Sequence, residues 1–293
     1  MDALTGKHTA CPMCGGKDRF RFDDKGGSGS YFCNNCGAGT GIDLIMGIQK
    51  VDFKEARRLV LEHVTGAPVE IKRAADTSKR GEELYEKVWK VCHPLNGFDA
   101  ASLYLRKRGI IMDELPTMLR FHPSVVFHHD DGARTKHPAM IALVVGPDRS
   151  SMTLHYTYLT DDGEKAAVPK VKKLAAAKFP AGGAVRLAPS AATTGIAEGI
   201  ETALGAHLLD GIPVWAACTA GALTKWEPPE GVEHVIIYGD NDKSYTGQAT
   251  AYALAHRLTS EGYGVTVRIP FEAGTDWLDE WLVSMSAQRE AAQ

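Results

Sequence analysis

The sequence predicts an α/β protein with a cysteine-rich β module at its N-terminus, a mixed α+β middle region and a Rossmann-like, mostly parallel sheet at its C-terminus. Three observations lead to this fold class. Two Cys-x₂-Cys pairs occur within the first 40 residues, and two apolar runs at 139–145 and 152–159 are typical of adjacent antiparallel strands. From residue 191 onward, apolar strand patterns alternate with helical ones, which favours a parallel sheet covered by helices. The predicted strands are 193–197, 214–218, 235–238 and 264–269, and the predicted helices are 200–210, 245–261 and 276–286.

The chain divides by composition and pattern into four predicted parts. These are residues 1–64 (zinc ribbon plus short helices), 65–80 (linker), 81–190 (basic α+β region) and 191–293 (α/β domain). Residues 65–190 carry 19 basic and 14 acidic side chains, whereas residues 191–293 carry 5 and 14. This asymmetry suits an enzyme that holds a cation in one part and a polyanion on the other, although chance variation among solvated surfaces would give the same numbers.

The cysteine pairs have the spacing of a structural Zn²⁺ site with four thiolate ligands. The predicted ligands are Cys11, Cys14, Cys33 and Cys36. A segment this small cannot bury enough apolar surface to fold without such a site. His8 is an alternative ligand, a nucleic-acid contact or a surface residue. After the ribbon, a short helix is predicted at 41–48, and Asp52 is the predicted N-cap of a second helix.

Basic and aromatic residues alternate between the two cysteine pairs. On a strand this places Lys17, Arg19 and Arg21 on one face and Phe20 and Phe22 on the other. A cationic face of this kind can contact nucleic-acid phosphates, and exposed aromatic rings can stack on bases. The alternative is that the phenylalanines simply cover the zinc site.

The middle region has a helical pattern over 81–120, followed by the two antiparallel strands and a basic segment over 170–186. Its basic side chains are candidates for holding nucleic acid and nucleotide phosphates, and a solvated surface is the alternative for each of them. These candidates are Arg108, Lys170, Lys172, Lys173 and Arg186.

Carboxylates follow two predicted strands of the C-terminal domain. Glu198 comes after the strand at 193–197, and Asp240 and Asp242 come after a second strand. Since ligands of open α/β sheets bind at the carboxyl ends of the strands, these side chains are expected at one edge of the sheet, called the rim below. Hard oxygen ligands gathered there predict a Mg²⁺ site.

Two further acids are candidates near this rim, Glu201 and Asp276. Glu201 falls on the first turn of the next helix, where it would complement the helix dipole. Asp276 either caps the last helix or reaches the metal.

These motifs resemble two domains found together in one family. Glu198-Gly199 with Asp240-Asn-Asp242 resembles a Toprim domain, and the cysteine segment 11–36 is similar to the zinc ribbon of phage and plasmid primases and primase-helicases. The middle region is similar to the connecting region of the same proteins, so the resemblance covers nearly the whole chain in the right order.

The resemblance implies a DNA primase that makes short RNA primers for phage, prophage or plasmid replication. Single-stranded DNA and ribonucleoside triphosphates would be its partners. Mg²⁺ or Mn²⁺ would be held by Glu198, Asp240 and Asp242, with Glu198 as base or ligand and Asp276 as a further catalytic candidate. Residues 81–190 would then form the first part of the primase core, and residues 191–293 the Toprim catalytic domain.

One departure from the family pattern concerns helicase activity. The sequence has no Gly-x₄-Gly-Lys-Ser/Thr phosphate loop, so a helicase would have to act in trans.

A topoisomerase would need a large tyrosine domain, which leaves a Toprim nuclease and a non-catalytic DNA-binding mediator of recombination or replication as alternatives.

No apolar run is as long as a membrane span and no signal peptide is recognisable, so a cytoplasmic protein without a membrane partner is expected.

Overall fold

The structure is a computed structural model that describes residues 4, 6–24, 29–63, 83–85, 87–149, 152–175 and 179–291. It divides into two compact units, Met1–Arg73 and Ala74–Gln293. The linker predicted at 65–80 lies outside the described residues. Within the ranges given above, none of the helices combines the length and the apolar character that crossing a bilayer requires.

The N-terminal unit is an antiparallel sheet followed by two helices. Its strands, in sheet order, are β1 (Thr9–Cys11), β2 (Gly15–Phe22), β3 (Tyr31–Cys33) and β4 (Gly37–Gly39). The helices are α1 (Gly41–Gln49) and α2 (Phe53–His63). Asp52 accepts a hydrogen bond from the Glu55 amide at 2.8 Å, which confirms it as the N-cap of α2.

The C-terminal unit contains one sheet of ten strands among its described residues. They are β5 (His93–Pro94), β6 (Leu119–His128), β7 (Arg134–Val145), β8 (Met152–Tyr158), β9 (Lys172–Leu174), β10 (Ala184–Val185), β11 (Thr193–Ala197), β12 (Val214–Ala216), β13 (His234–Tyr238) and β14 (Gly264–Arg268). The main order is β14-β13-β11-β12-β10-β7-β6-β5, and β8 and β9 continue from β7. Strands β11 to β14 pair in parallel and the others in antiparallel fashion.

Five α-helices of this unit have described bounds. They are α3 (Ala100–Lys107), α4 (Ile200–Asp210), α5 (Ala220–Leu223), α6 (Thr246–Ser260) and α7 (Trp277–Ala291), and a short 3₁₀ helix covers Trp89–Val91. The predicted α/β fold class is confirmed, and the strand–helix alternation after residue 191 follows the expected order.

The helical prediction for 81–120 is wrong over much of its length. Of the residues described there, 83–85, 87–91 and α3 are helical, and the strands β5 and the start of β6 occupy other parts of the segment. Pro94 and Pro116 lack the amide hydrogen that a helix needs, and Gly97 adopts a positive φ of 85°. The sequence pattern also missed β6, whose pairing with β7 depends on residues far along the chain.

One apolar core contains residues from both sides of the predicted domain boundary at residue 190. Tyr104 and Leu105 of α3 pack in the same cluster as Leu204 of α4, Tyr238 of β13 and Leu278 of α7. The indole N–H of Trp281 donates to the Gly109 carbonyl at 3.0 Å. Middle region and C-terminal domain therefore share one core and one sheet, and the predicted boundary at residue 190 stays a prediction.

Candidate metal centres

The four predicted cysteines lie together, and their Sγ atoms are all within 4.8 Å of one another. Cys11 and Cys36 are 4.0 Å apart at sulfur, and Cys14 and Cys33 are 3.7 Å apart. A tetrahedral Zn²⁺ with bonds of about 2.3 Å would place its sulfurs about 3.8 Å apart. The residues present therefore fit a structural Zn²⁺.

Backbone amides support this thiol cluster. The N–H groups of Asn35 and Cys36 donate to the Cys33 sulfur at 3.5 and 3.4 Å. Such bonds to sulfur favour the thiolate form and orient it for a metal. His8 lies outside the cluster, and its ring is 3.0 Å from the Asp18 carbonyl.

The alternation on β2 gives each face a different role. Phe20 is fully buried, packs with the ligand cysteines and stacks on Tyr31 with ring centroids 5.4 Å apart. Lys17 is exposed, and the Arg21 guanidinium pairs with Asp23 at 2.5 Å. Phe20 therefore belongs to the core around the cysteines, as the alternative interpretation expected, and Lys17 is the freely exposed cation of this strand.

The sheet register brings the predicted carboxylates to one rim. Ala197 at the end of β11 pairs with Tyr238 at the end of β13, so Glu198 and the Gly239–Asp242 segment leave the sheet side by side. The Asp242 carboxylate accepts from the Gly247 amide at 2.9 Å. A Cβ on Gly247 would lie 2.5 Å from the Asp240 carbonyl oxygen, so only glycine fits against this segment.

The electrostatics of the rim are those of crowded negative charge. Burial, together with the charges of Asp276, Glu198 and Asp242, raises the pKa of Asp240 to about 7. The pKa of Glu198 is also raised, first by burial and then by Asp242. The Oδ1 atom of Asp240 is buried and has no hydrogen-bond partner among the described residues. Carboxylate oxygens with crowded negative charge have the donor chemistry that a divalent cation prefers.

The spacing of these carboxylates differs from that of the cysteines. Of the described residues, only the cysteines gather three or more metal-ligand atoms closely enough to hold an ion. The oxygens of Glu198, Asp240 and Asp242 do not come together in such a group. The predicted carboxylates therefore lie at one rim, but their oxygens do not surround one common position.

Asp276 caps the last helix and also acts on the rim. Its Oδ1 accepts from the Leu278 and Asp279 amides at 2.7 and 3.2 Å. Its charge is the largest electrostatic contribution, after burial, to the raised pKa of Asp240. The capping alternative is therefore observed, and the prediction that Asp276 reaches the metal stays a prediction.

Glu201 has a larger role than the predicted helix-start residue. It lies on the first turn of α4 but is only 3% exposed, and it accepts from the Tyr104 hydroxyl at 2.6 Å and the Lys172 ammonium at 2.7 Å. Burial would raise its pKa, yet the nearby Lys172 charge and the two hydrogen bonds lower the pKa to about 2. Glu201 is thus an ionised buried anchor for Lys172.

Lys172 is accordingly a member of the carboxylate rim. Its positive charge lowers the pKa of both Glu198 and Asp240, partly offsetting their mutual repulsion. Lys173 lies on the opposite face of β9, where its ammonium is 5.0 Å from the Phe127 ring centroid.

The other basic candidates are dispersed. Lys170 is exposed, the Nε atom of Arg108 is buried near Tyr104, and Arg186 donates to the Gly146 and Pro147 carbonyls. The five cations predicted for the middle region do not form one continuous face.

Two residues near Glu201 were missed by sequence reasoning. Burial lowers the pKa of His155 to about 4, so this histidine is neutral at physiological pH. Cys218 adopts a left-handed φ of 68°, and its amide donates to the Glu198 carbonyl at 2.8 Å. The strand predicted to continue to Cys218 therefore ends at Ala216. No local pattern marks either residue, because both depend on packing between distant segments.

Comparisons with known protein families agree with this arrangement. Residues 6–42 match the zinc-binding domain of primase-helicase, residues 193–286 match the Toprim domain, and residues 79–187 match a domain of unknown function.

Several solved primase structures are distantly similar. The zinc-binding and RNA polymerase domains of the Aquifex aeolicus primase give a TM-score of 0.42 at 16% identity, covering 97% of this chain and 77% of that chain. A DNA primase domain from Pseudomonas aeruginosa gives 0.46 at 13% identity, covering 71% and 76%. The DnaG primase catalytic domain bound to ssDNA gives 0.45 at 12% identity, covering 74% and 82%.

The resemblance inferred from the cysteine and carboxylate motifs is thereby confirmed at the level of domains: this chain combines a zinc ribbon of the primase-helicase type with a Toprim domain.

Proposed function

We propose that this chain is a DNA primase that synthesises short RNA primers on single-stranded DNA. The observation that carries the proposal is the pairing, in one chain, of a primase-helicase zinc ribbon with a Toprim domain whose strand ends bear Glu198, Asp240 and Asp242. The buried Asp240 oxygen without a partner among the described residues supports a cation at that rim.

The proposed reaction is nucleotidyl transfer. The 3′-hydroxyl of the growing primer attacks the α-phosphorus of a ribonucleoside triphosphate, the bond between the α- and β-phosphates breaks, and pyrophosphate leaves. Mg²⁺ or Mn²⁺ held by Glu198, Asp240 and Asp242 would lower the pKa of the hydroxyl and neutralise the developing charge. Asp276 contributes negative charge to the same rim.

Glu198 and Lys172 are assigned supporting roles. The raised pKa of Glu198 suits a carboxylate that takes the hydroxyl proton as base, and it suits a metal ligand equally. Lys172, anchored by Glu201, would face the triphosphate and limit repulsion between the substrate and the acids.

The remaining parts of the chain would handle the template. The zinc ribbon, through Lys17, Arg19 and Arg21, would contact single-stranded DNA, and Arg108, Lys170, Lys173 and Arg186 would contact template or nucleotide phosphates. We further propose a phage, prophage or plasmid replication context, a helicase acting in trans and a cytoplasmic location.

One assay tests the function. The protein is incubated with single-stranded DNA of mixed sequence, labelled ribonucleotides and Mg²⁺. We expect labelled short RNA that is sensitive to alkali. Shortened DNA without labelled RNA would identify a Toprim nuclease, and retained DNA binding with neither product would identify a non-catalytic mediator; either result contradicts the proposal.

A further inference from the structure

A cavity lies apart from the rim of Glu198, Asp240 and Asp242. Its volume is about 660 Å³, which is the size of a small-molecule pocket. Its walls come from the segment 112–118, the turn after β7, the segment after β10, the strand β12 and the helix α4. None of the rim carboxylates lines it.

Arg186 is partly fixed at this cavity. Its Nη2 donates to the carbonyls of Gly146 and Pro147 at 2.7 and 2.9 Å, and its guanidinium carbon lies 5.0 Å from the centroid of the Trp215 ring. Its buried Nε has no hydrogen-bond partner among the described residues. The guanidinium is therefore held in place while part of its donor capacity is not used by the part of the chain that the structure describes.

Arg149 brings a second positive charge to the same cavity. It is exposed and closes the turn that begins at Gly146. Its backbone adopts a left-handed φ of 61°, which residues other than glycine rarely take. Strained backbone of this kind is often found at ligand sites.

Few acidic side chains among the lining residues oppose the positive charges of Arg149 and Arg186. Burial, and then the charge of Arg149, lowers the pKa of Arg186, and no carboxylate opposes this shift. Glu114 is the acidic residue among the lining side chains. Two arginines that line one cavity beside a single acidic lining residue are typical of a site for a phosphate group.

We propose that Arg149 and Arg186 form a phosphate-binding site that is separate from the metal rim. Apolar side chains such as Leu115, Met118 and Leu187 line the rest of the cavity and would cover the uncharged part of a nucleotide. The ligand is a phosphate group carried either by a free nucleoside triphosphate or by the backbone of single-stranded DNA. The choice of these two sources rests on the proposed function.

Binding without metal tests this site independently of catalysis. The full chain, in EDTA, is titrated with ATP, inorganic pyrophosphate and a fluorescent (dT)₁₀ oligonucleotide, by calorimetry for the first two and anisotropy for the third. We expect Arg149→Gln to weaken binding about tenfold and Arg186→Gln to weaken it at least as much. Arg289→Gln, an exposed arginine on α7, is the matched control and should bind like the wild type.

The three probes distinguish the sources of the phosphate. Loss of ATP and pyrophosphate binding in both variants assigns a free nucleotide, whereas loss confined to the oligonucleotide, with a shallower salt dependence, assigns backbone phosphate. Wild-type affinity of Arg149→Gln for all three probes overturns the proposal. If Arg186→Gln fails to fold, Arg149→Gln still decides, because its side chain is exposed.

The outcome is also separable from that of primer synthesis. A protein that makes no primers but loses ATP binding in Arg149→Gln would support the phosphate site while contradicting the proposed function.

Discussion

The charge crowding at Asp240 predicts that its replacement by asparagine stabilises the metal-free protein. Folding moves the pKa of this carboxyl from an ordinary 3.8 to about 7, first because it is buried and then because three other carboxylates face it. The charged form is therefore less favourable in the folded than in the unfolded chain. Asparagine has the same shape and no charge, so Asp240→Asn removes that cost.

The pH dependence has a defined sign. Well below pH 3.8 the carboxyl is neutral in both states and contributes nothing. As the pH rises from 3.8 towards 7, the folded state binds more protons than the unfolded state, so the cost of the charge grows and then levels off. The full difference corresponds to about 4 kcal/mol at pH 8.

Partial exposure of Asp240 to water reduces this figure. We expect Asp240→Asn to gain about 2 kcal/mol at pH 8 and about 1 kcal/mol at pH 5. For a unit of this size that corresponds to a rise in Tm of about 6 °C at pH 8. Mg²⁺ should raise the Tm of the wild type and reduce the difference.

Thermal unfolding in EDTA, followed by circular dichroism at both pH values, measures the effect. Asp161→Asn, which removes a charge from an exposed turn, is the control and should not change the Tm. An Asp240→Asn protein that melts at or below the wild-type temperature at pH 8 would refute the electrostatic reasoning, as would a gain that does not shrink at pH 5.

Three further substitutions probe the rim and the ribbon. Glu201→Gln should cost about 1.5 kcal/mol in urea unfolding, because it removes the buried carboxylate that pairs with the half-exposed Lys172. Gly247→Ala should lower Mg²⁺ affinity and primer synthesis at least tenfold, since the added Cβ would meet backbone 2.5 Å away. Cys33→Ser should reduce bound zinc, measured by atomic emission, to near zero, because one of four thiolate ligands is lost.

Each of these has a contrasting control. Lys172→Met combined with Glu201→Gln should cost less than the sum of the single changes, and strict additivity would argue against the ion pair. Gly221→Ala adds a Cβ with nothing within 4 Å and should be silent. Cys92→Ser, whose thiol is outside the cluster, should retain zinc, and equal zinc in Cys33→Ser would remove that residue from the site.

The predictable parts of the fold are those that depend on local sequence patterns. The strand at 193–197 and the helix at 200–210 match β11 and α4 at both ends, because apolar periodicity and the Gly211 stop signal are local. Cysteine spacing fixes the zinc cluster for the same reason. The carboxylates could be assigned to one rim because parallel strands end at one edge of a sheet.

The parts that were not predictable depend on contacts between distant segments. Tyr104 and Glu201 are 97 positions apart, and nothing near either residue indicates that they meet. Lys172 has the same sequence context as Lys173, yet the alternation of β9 sends one to the acidic rim and the other to an aromatic ring. Single charged residues on unassigned strands cannot be placed until the sheet order is known.

The central claim, nucleotidyl transfer at the Toprim carboxylates, is tested most directly by dinucleotide formation. Wild-type protein and Asp240→Ala are compared on single-stranded DNA with labelled ribonucleotides and Mg²⁺, with zinc content and circular dichroism confirming that both are folded. We predict labelled dinucleotide from the wild type and a loss of at least a hundredfold in the variant. Equal synthesis by the two proteins would contradict the assignment of these carboxylates to catalysis.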